Sequence, residues 1–271
     1  ILYVIPRPDG TANVGYRTLA KSLVHFIEES RLPVTVDVLR PPTFDRLRQT
    51  LKEHPGYYHI VHFDGHGSYG DSVPGEGQYG AAEGLLLFEQ ENGQAEAMDT
   101  TRLAQLLAEY RIPCMVLNAC QSGMVDGQAR DPFACVAAGL LRAGVYSVVA
   151  MGYSLYVSAA REFVPAFYRE LFGGSKISEA VRAGRCEMYR QPGRSCVTGA
   201  LPLQDWVVPV LYRQMPEDSL PFPRLQPGSQ AARPALPQEA ALGDYPFIGR
   251  DRQTQQLQRA MQRQPQAALL I

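Results

Sequence analysis

The stretch IPCMVLNACQSG, residues 112–123, decides how this chain folds. Its first seven residues are almost continuously apolar, which is typical of a central strand in a parallel sheet whose two faces are both covered. The strand runs directly into a polar, glycine-containing turn that carries Cys120. Because ligands of open parallel α/β sheets bind at the carboxyl ends of the strands, we expect Cys120 at the reactive edge of the sheet.

Strands and helices alternate on both sides of this stretch. The patterns predict strands at residues 1–5, 34–39, 57–63, 145–151 and 207–211 and helices at about 13–29, 43–52, 99–107, 133–142, 154–171 and 177–189. A small β-hairpin is predicted at 85–98 around Asn92-Gly93, after a polar, glycine-rich surface loop at 68–83. This order predicts an α/β fold, a three-layer α/β/α sandwich with a mostly parallel central sheet and a small β-hairpin insertion.

Composition excludes several classes of protein. The 26 Lys and Arg and 27 Asp and Glu residues give a net charge of −1, which argues against a dedicated nucleic-acid binder. The odd number of Cys, five in 271 residues, argues for reduced thiols in a cytoplasmic compartment. No apolar run reaches the roughly 18–20 residues of a membrane-spanning helix, and no signal peptide is evident. We also expect no metal site.

A second reactive residue follows another predicted strand. The strand at 57–63 leads into DGHG, residues 64–67, which carries His66, 54 residues before Cys120. One helix and a hairpin lie between them, so the two strands could be neighbours. A thiol needs a base to become a strongly nucleophilic thiolate, and His is the usual partner. Gly65 and Gly67 would let a substrate approach the backbone closely, and the N–H groups of Gly67 and Cys120 could form an oxyanion hole.

Each of these residues also has an ordinary structural interpretation. A Cys after a buried strand is more often an inert core residue, as we expect for Cys114, Cys135, Cys186 and Cys196. A His in a loop is more often solvated or capping. The two residues together, each at a strand end and each among glycines, favour the catalytic interpretation.

The two motifs resemble a known family. HFDGHG at residues 62–67 and VLNACQSG at 116–123 look like the hallmark motifs of CHAT domains, caspase-like cysteine peptidases related to caspases and separase. The resemblance extends over roughly residues 1–213. It implies a caspase-like sandwich in which Cys120 is the nucleophile and His66 the general base or orienting imidazole, with Gly67 in the oxyanion hole. The implied reaction is peptide-bond hydrolysis through a thioester, and Asn118 is expected to be a structural hydrogen-bonder.

The chain departs from the family pattern near the expected substrate cleft. Residues 153–158 read YSLYVS in place of a Trp-x-Val-x-Asp pattern, and Asp64 stands where a small residue is common. Asp64, Asp205 and Glu83 suggest binding of a basic P1 side chain, although surface carboxylates are ordinarily just solvated. Trp206 suggests a wall of the cleft, with core packing as the alternative.

Composition changes after residue 215. We predict a peptidase domain at 1–215, a Pro-rich linker at 216–243 and the truncated start of an NTPase module at 244–271, where YPFIGRD (245–251) resembles the opening of STAND or AAA-like modules. A plain amphipathic helix is the alternative for this tail. Both ends lie in apolar runs, so we expect a fragment of a longer protein.

The domain order suggests partners. No P-loop motif occurs here, so we expect no cofactor in this fragment and ATP or a related nucleotide on the missing module. By resemblance, the peptidase would be the effector of a nucleotide-switched defence protein, with a peptide substrate such as a gasdermin-like pore former and its own NTPase region as partners. The alternative is a catalytically silent adaptor or oligomerisation module. A phosphate-binding regulator would need a Gly-rich strand-to-helix turn, which we do not find.

Overall fold

The computed structural model describes residues 1–8, 17–70, 83–120, 132–151, 155, 157–196, 199–214 and 225–226, of which residues 17–22, 68–70, 83–84, 119–120, 132–135, 157 and 196 are described by their backbone alone. In chain order the elements are β1 (Leu2–Val4), α1 (Arg17–Ser30), β2 (Asp37–Val38), α2 (Phe44–Glu53), β3 (Ile60–Gly70), β4 (Glu83–Glu89), β5 (Ala95–Asp99), α3 (Thr100–Glu109), β6 (Cys114–Cys120), α4 (Pro132–Arg142), β7 (Ser147–Met151), α5 (Val157–Phe172), α6 (Ile177–Arg190), β8 (Gly193–Cys196), β9 (Gly199–Pro202) and β10 (Pro209–Arg213), with a 3-10 turn at Asp205–Val207.

Eight of the described strands form one mostly parallel sheet. Six of them lie in the order β10-β7-β6-β3-β1-β2, and the hairpin of β4 and β5 is attached to β3. The pairs β1–β2, β1–β3, β3–β6 and β6–β7 are parallel. β10 pairs antiparallel with β7 at the edge of the sheet, beginning with Pro209. The parallel core, the edge strand and the hairpin insertion were all predicted and are confirmed.

Helices cover both faces of the sheet. Alternate residues of each strand point to opposite faces, so Phe63 and Leu117 join one apolar cluster with α2, α3 and α4. Ile60 and Val116 join a second cluster with α1, α5 and α6. These two cores confirm the three-layer α/β/α sandwich. None of the helices in the described part of the chain is long and apolar enough to span a membrane.

Two helices begin at the residues that local chemistry predicts. The Thr43 side-chain oxygen accepts a hydrogen bond from the Arg46 backbone N–H at 3.1 Å, at the N-terminus of α2. The Asp99 carboxylate accepts one from the Arg102 N–H at 2.8 Å and starts α3 directly after β5. Each bond satisfies a backbone donor that the first turn of a helix leaves unpaired.

Two strand predictions need correction, and one hairpin was not predicted. β3 continues through the whole DGHG motif to Gly70, whereas the sequence predicted that it ends at residue 63. β2 is limited to Asp37–Val38 although residues 34–39 alternate. The hairpin of β8 and β9 was not predicted, because GRSC and GALP carry no apolar alternation and the described β9 residues are all exposed.

The predicted linker and tail lie almost entirely outside the described residues. Of this region the structure describes Leu225 and Gln226, and the Leu225 N–H donates a hydrogen bond to the Phe172 carbonyl at 2.8 Å. Leu225 also packs on the core cluster of α5. The division at residues 215 and 243 stays a prediction, as does most of the loop predicted at 68–83.

Candidate active site

His66 and Cys120 occupy the same register position on neighbouring strands. β3 and β6 pair in parallel from Ile60 opposite Cys114 to His66 opposite Cys120, so the two strands are neighbours as the spacing suggested. Adjacent strands lie roughly 4.8 Å apart, and registered positions belong to the same face of the sheet. Cys120 is the last residue of β6. The two positions therefore lie side by side at the carboxyl edge of the sheet, and His66 is 4% exposed.

β3 exchanges one neighbouring strand for another along one edge, since its pairing with β1 ends at Phe63 and its pairing with β4 begins at His66. Up to this residue β3 pairs with β6, and from His66 to Gly70 it pairs antiparallel with β4, where Gly67 is opposite Leu86. His66 takes part in both pairings, so β4 lies on the edge of β3 that faces away from β6. The motif is therefore held as an extended strand rather than as the loop that its glycines predicted.

A buried acid–amide pair lies two residues before His66 and Cys120. Asp64 is registered with Asn118, and the Asn118 amide donates to the Asp64 carboxylate at 3.2 Å. Both residues are only 6% exposed. Since residues two apart on a strand share a face, this pair lies directly beneath the His66 and Cys120 positions. The expected structural role of Asn118 as a hydrogen-bonder is confirmed.

Arg7 compensates the buried charge of Asp64. Its guanidinium Nη2 lies 3.1 Å from Asp64 Oδ2, and its Nη1 donates to the Asp64 backbone carbonyl. Burial raises the pKa of Asp64, while the Arg7 charge and the hydrogen bonds from Arg7 and Asn118 oppose that rise. Asp64 was predicted as a substrate-binding carboxylate, and the structure places it in an internal ion pair.

The same arginine also joins β1 to the hairpin. The Arg7 backbone N–H donates to the Glu89 carboxylate at 2.6 Å, and Glu89 is 4% exposed at the end of β4. Three strands, β1, β3 and β4, are thus connected through the backbone and side chain of one residue below the carboxyl edge. The sequence did not predict this role of Arg7, because its flanking prolines are typical of an exposed turn and its partners are distant in the chain.

Gly65 is required by packing inside the motif. A Cβ at this position would lie 2.8 Å from Phe63 Cε1 and 2.9 Å from Pro6 Cγ. Real Cβ atoms do not approach ring atoms this closely, so only glycine fits without a shift of the neighbours. These contacts show a packing requirement for Gly65, and its expected role in close approach of a substrate stays a prediction.

The other histidine of the motif belongs to the core. His62 is fully buried, stacks on Tyr3 with ring centroids 4.3 Å apart, and its Nδ1 lies 2.9 Å from the Tyr168 hydroxyl in a hydrogen bond. Burial lowers its pKa to about 3, so the ring is neutral at physiological pH. Of the two motif histidines, His66 is the one at the carboxyl edge.

The described cysteines differ in their surroundings. Cys114 lies in the core at the start of β6, and burial raises the pKa of its thiol to about 12, which makes it a poor nucleophile. Cys186 is half-buried on α6 rather than in the core, so the core assignment predicted for it is wrong. The side chains of Cys135 and Cys196 lie outside the described residues.

Asp205 and Trp206 lie beside α6. The Asp205 carboxylate binds Arg194 through two hydrogen bonds of 2.7 Å each, and Arg194 is 1% exposed. Trp206 is partly buried, and its ring meets Tyr189 edge-on with centroids 6.0 Å apart. The structure thus groups Asp64 and Gly67 with the His66 and Cys120 positions, and groups Asp205 and Trp206 with α6.

Within the described residues, no group of three or more His, Cys, Asp or Glu side chains could hold a metal ion.

Comparison with known proteins identifies the family. A search of curated proteins finds no match to this chain. The CHAT domain family model matches residues 15–266, which include both motifs and most of the chain. The chain therefore belongs to the CHAT domain family, a group related to the caspase-like cysteine peptidases.

Proposed function

We propose that this chain is a cysteine endopeptidase in which Cys120 is the nucleophile and His66 the general base. The observation that carries the proposal is the register of β3 and β6, which aligns the two residues at the carboxyl edge of the sheet. Membership of a family related to caspase-like peptidases supports the same chemistry. A nucleophile beside a base is the minimal arrangement for covalent catalysis at a carbonyl.

The proposed reaction has two steps. His66 accepts the Cys120 thiol proton, and the thiolate sulfur attacks the carbonyl carbon of the scissile peptide bond. The tetrahedral intermediate collapses as His66 returns the proton to the leaving amine, which leaves a thioester on Cys120. Water then attacks the thioester with His66 as base, releasing the acid and restoring the thiol. The N–H groups of Gly67 and Cys120 would stabilise the oxyanion in both steps.

The preference for a basic P1 side chain stays a proposal, and two of the carboxylates that suggested it are already paired. Asp64 and Asp205, two of the three carboxylates that suggested a basic P1 residue, are compensated by Arg7 and Arg194. The third, Glu83, has no described side chain. Cleavage of a peptide library tests the preference. A neutral P1 would agree with the two compensated carboxylates, whereas a basic P1 would require negative charge from elsewhere in the cleft.

We further propose that the peptidase is the effector of a nucleotide-switched defence protein. Support comes from the Pro-rich composition of residues 216–243 and from the resemblance of 244–271 to the opening of a STAND or AAA-like module. In this proposal the module lies beyond the present chain and binds ATP or a related nucleotide. A gasdermin-like pore former is the proposed substrate. The compartment would be reducing and cytoplasmic, because a nucleophilic thiol must stay reduced.

Site-mapped alkylation tests the catalytic pair. Peptidyl acyloxymethyl ketones with Arg, Leu or Asp at P1 are added to the wild type and to His66→Ala, and the labelled cysteine is identified by mass spectrometry. We expect labelling of Cys120 that is lost in His66→Ala. His25→Ala is the matched control, since that side chain is 67% exposed on α1, and should label as the wild type does.

The opposite result has a defined meaning. Cys120 labelling that is as slow as that of Cys114 and unchanged by His66→Ala would contradict a formed catalytic pair in this chain. Repeating the assay on the longer parent protein with nucleotide then separates two explanations. Labelling that appears there indicates a resting peptidase, and continued silence favours the adaptor.

A further inference from the structure

An open groove runs along the outer side of α6. It encloses about 580 Å³, and its lining comes from α6, the 3-10 turn and β10. The α6 wall carries residues at helical spacing, which are Ser178, Val181, Arg182, Arg185, Cys186 and Tyr189. The opposite wall consists of Trp206, Val210 and Leu211. None of these residues takes part in the proposed reaction.

The groove has the dimensions of a short extended peptide. From Ser178 to Tyr189 the helix rises about 16 Å at 1.5 Å per residue. An extended chain rises roughly 3.3 Å per residue, so about five residues span this length. Both walls contribute apolar side chains, through Val181 on one side and Val210 and Leu211 on the other. Such walls fit alternate apolar side chains of an extended segment.

Two aromatic rings form the upper end. Tyr189 is 62% exposed and meets the Trp206 ring edge-on. The Arg185 guanidinium lies 5.3 Å from the Trp206 ring centre, and its Nε donates to the Trp206 carbonyl at 3.0 Å. The Trp206 ring itself is contacted by Tyr189 and Arg185, and its Nε1 donates to the Gln204 side-chain oxygen at 2.9 Å. Rigid aromatic rings and arginine are the residue types that dominate binding hot spots.

The charge of the groove is positive, although the chain as a whole carries −1. Arg182 and Arg185 both line it, and its described lining contains no carboxylate. Within the described part of the chain, Arg182 makes no ion pair. The acids of α6 are already engaged, since Glu179 accepts from the Lys176 N–H and Glu187 pairs with Arg190.

The upper end lies at the carboxyl edge of the sheet. Pro209, the first residue of β10, is opposite Met151, the last residue of β7. Trp206 comes three residues before Pro209 in the chain. β6, which ends in Cys120, is the next strand beyond β7. Two strand spacings are about 10 Å. A polypeptide seated in the groove could thus continue toward the edge where His66 and Cys120 lie.

We propose that this α6 groove binds an extended, acidic segment of a protein partner, with carboxylates on Arg182 and Arg185 and an apolar side chain against Trp206 and Tyr189. The charge of the groove selects the acidic segment, and its apolar walls select the side chains between the carboxylates. The groove is separate from the catalytic pair, so the proposal does not depend on peptidase activity.

The chain offers a built-in probe of this groove, because Trp206 is its one tryptophan. The fluorescence of Trp206 is followed while capped pentapeptides LEFEL, LQFQL and LKFKL are titrated into the full chain carrying Cys120→Ala, which prevents cleavage. We expect a saturable change with LEFEL. LQFQL should bind about three- to tenfold more weakly, since exposed charge pairs contribute modestly, and LKFKL should give no saturable change.

Matched variants locate the binding. Arg182→Gln should weaken LEFEL about two- to fivefold, as loss of one exposed charge pair does, and should leave LQFQL unchanged. Arg190→Gln, on the same helix but outside the groove lining, should have no effect. The proposal is overturned if LEFEL and LQFQL bind equally, or if Arg182→Gln and Arg190→Gln behave alike. It is also overturned if light scattering shows a dimer that Tyr189→Ser abolishes while no peptide binds, because a second copy would then be the occupant.

Discussion

Replacing Arg7 by Met should destabilise the fold strongly, because it leaves the Asp64 charge without its partner. The Arg7 and Asp64 side chains are 4% and 8% exposed, and the closest guanidinium nitrogen and carboxylate oxygen are 3.1 Å apart. Removing one partner of a buried pair costs about 3–5 kcal/mol. This is a large share of the roughly 5–15 kcal/mol that stabilises a typical domain. Asp64→Asn should cost a similar amount, although it keeps the shape and the acceptor for Asn118.

The double variant separates the ion pair from simple loss of packing. Arg7→Met combined with Asp64→Asn leaves no buried charge at this site. Its unfolding free energy should exceed the value expected from adding the two single effects by about 2 kcal/mol or more. Urea unfolding of the four proteins supplies all the values. A coupling near zero would show that the two charges do not act on each other, and would refute the reasoning.

The pH dependence gives a second and independent check. Burial already raises the pKa of Asp64 above its usual 3.8, and loss of Arg7 should raise it further. A carboxyl group with a raised folded-state pKa is most stabilising below its unfolded pKa, and this stability is lost as the pH rises through the folded value. The deficit of Arg7→Met should therefore be smaller at pH 5 than at pH 8. The deficit of Asp64→Asn should not increase with pH, because the raised pKa of Asp64 makes the wild type, and not this variant, lose stability as the pH rises. Equal deficits for Arg7→Met at the two pH values would contradict a buried Asp64 charge.

Three further predictions concern β3 and β6 of the central sheet and their buried side chains. His62 has a pKa near 3 in the fold and about 6.5 when unfolded, so the unfolded state gains a proton first as the pH falls. Between pH 7 and 4.5 the wild type should therefore lose about 2–3 kcal/mol more of its unfolding free energy than His62→Phe does. Parallel pH profiles of the two proteins in urea unfolding would contradict this. Gly65→Ala should lower the unfolding free energy by about 1–3 kcal/mol through its contacts with Phe63 and Pro6. Gly193→Ala should cost less, because its Cβ would meet its nearest neighbour at 4.0 Å. Equal thermal midpoints for the two variants would rule out the packing argument. Cys114 should be alkylated by iodoacetamide only as fast as the protein unfolds, which mass spectrometry at increasing urea measures, and rapid labelling in native buffer would be inconsistent with its buried position.

Local chemistry was sufficient to predict the framework of the fold. The apolar run that became β6 could only be stable between two covered faces, and the alternation of strands and helices follows from that requirement. Thr43 and Asp99 started helices because a short polar side chain satisfies the first-turn donors in any context. These effects act within a few residues of the chain. They can therefore be read from sequence without knowledge of the distant partners.

The features that could not be predicted depend on distant partners. The DGHG motif stays extended because β4 pairs with it from His66 onward, and nothing within the motif favours a strand. Arg7 stands between Pro6 and Pro8, a pattern typical of an exposed turn. Its burial results from Asp64 and Glu89, which lie 57 and 82 residues away in sequence. The packing requirement at Gly65 could not be predicted for the same reason, since Pro6 is distant in the chain.

The alignment of the candidate catalytic pair depends on residues that take no part in the proposed chemistry. Two strands with apolar faces on both sides are poorly registered by hydrophobicity alone, because a slip exchanges one apolar face for another. The polar residues of β3 remove that ambiguity. A slip of one residue against β6 would separate Asp64 from Asn118 and break their buried hydrogen bond, at a cost of about 1–3 kcal/mol. The buried network therefore selects the single register in which His66 lies opposite Cys120. The positions of these two residues thus depend on an intact network beneath them.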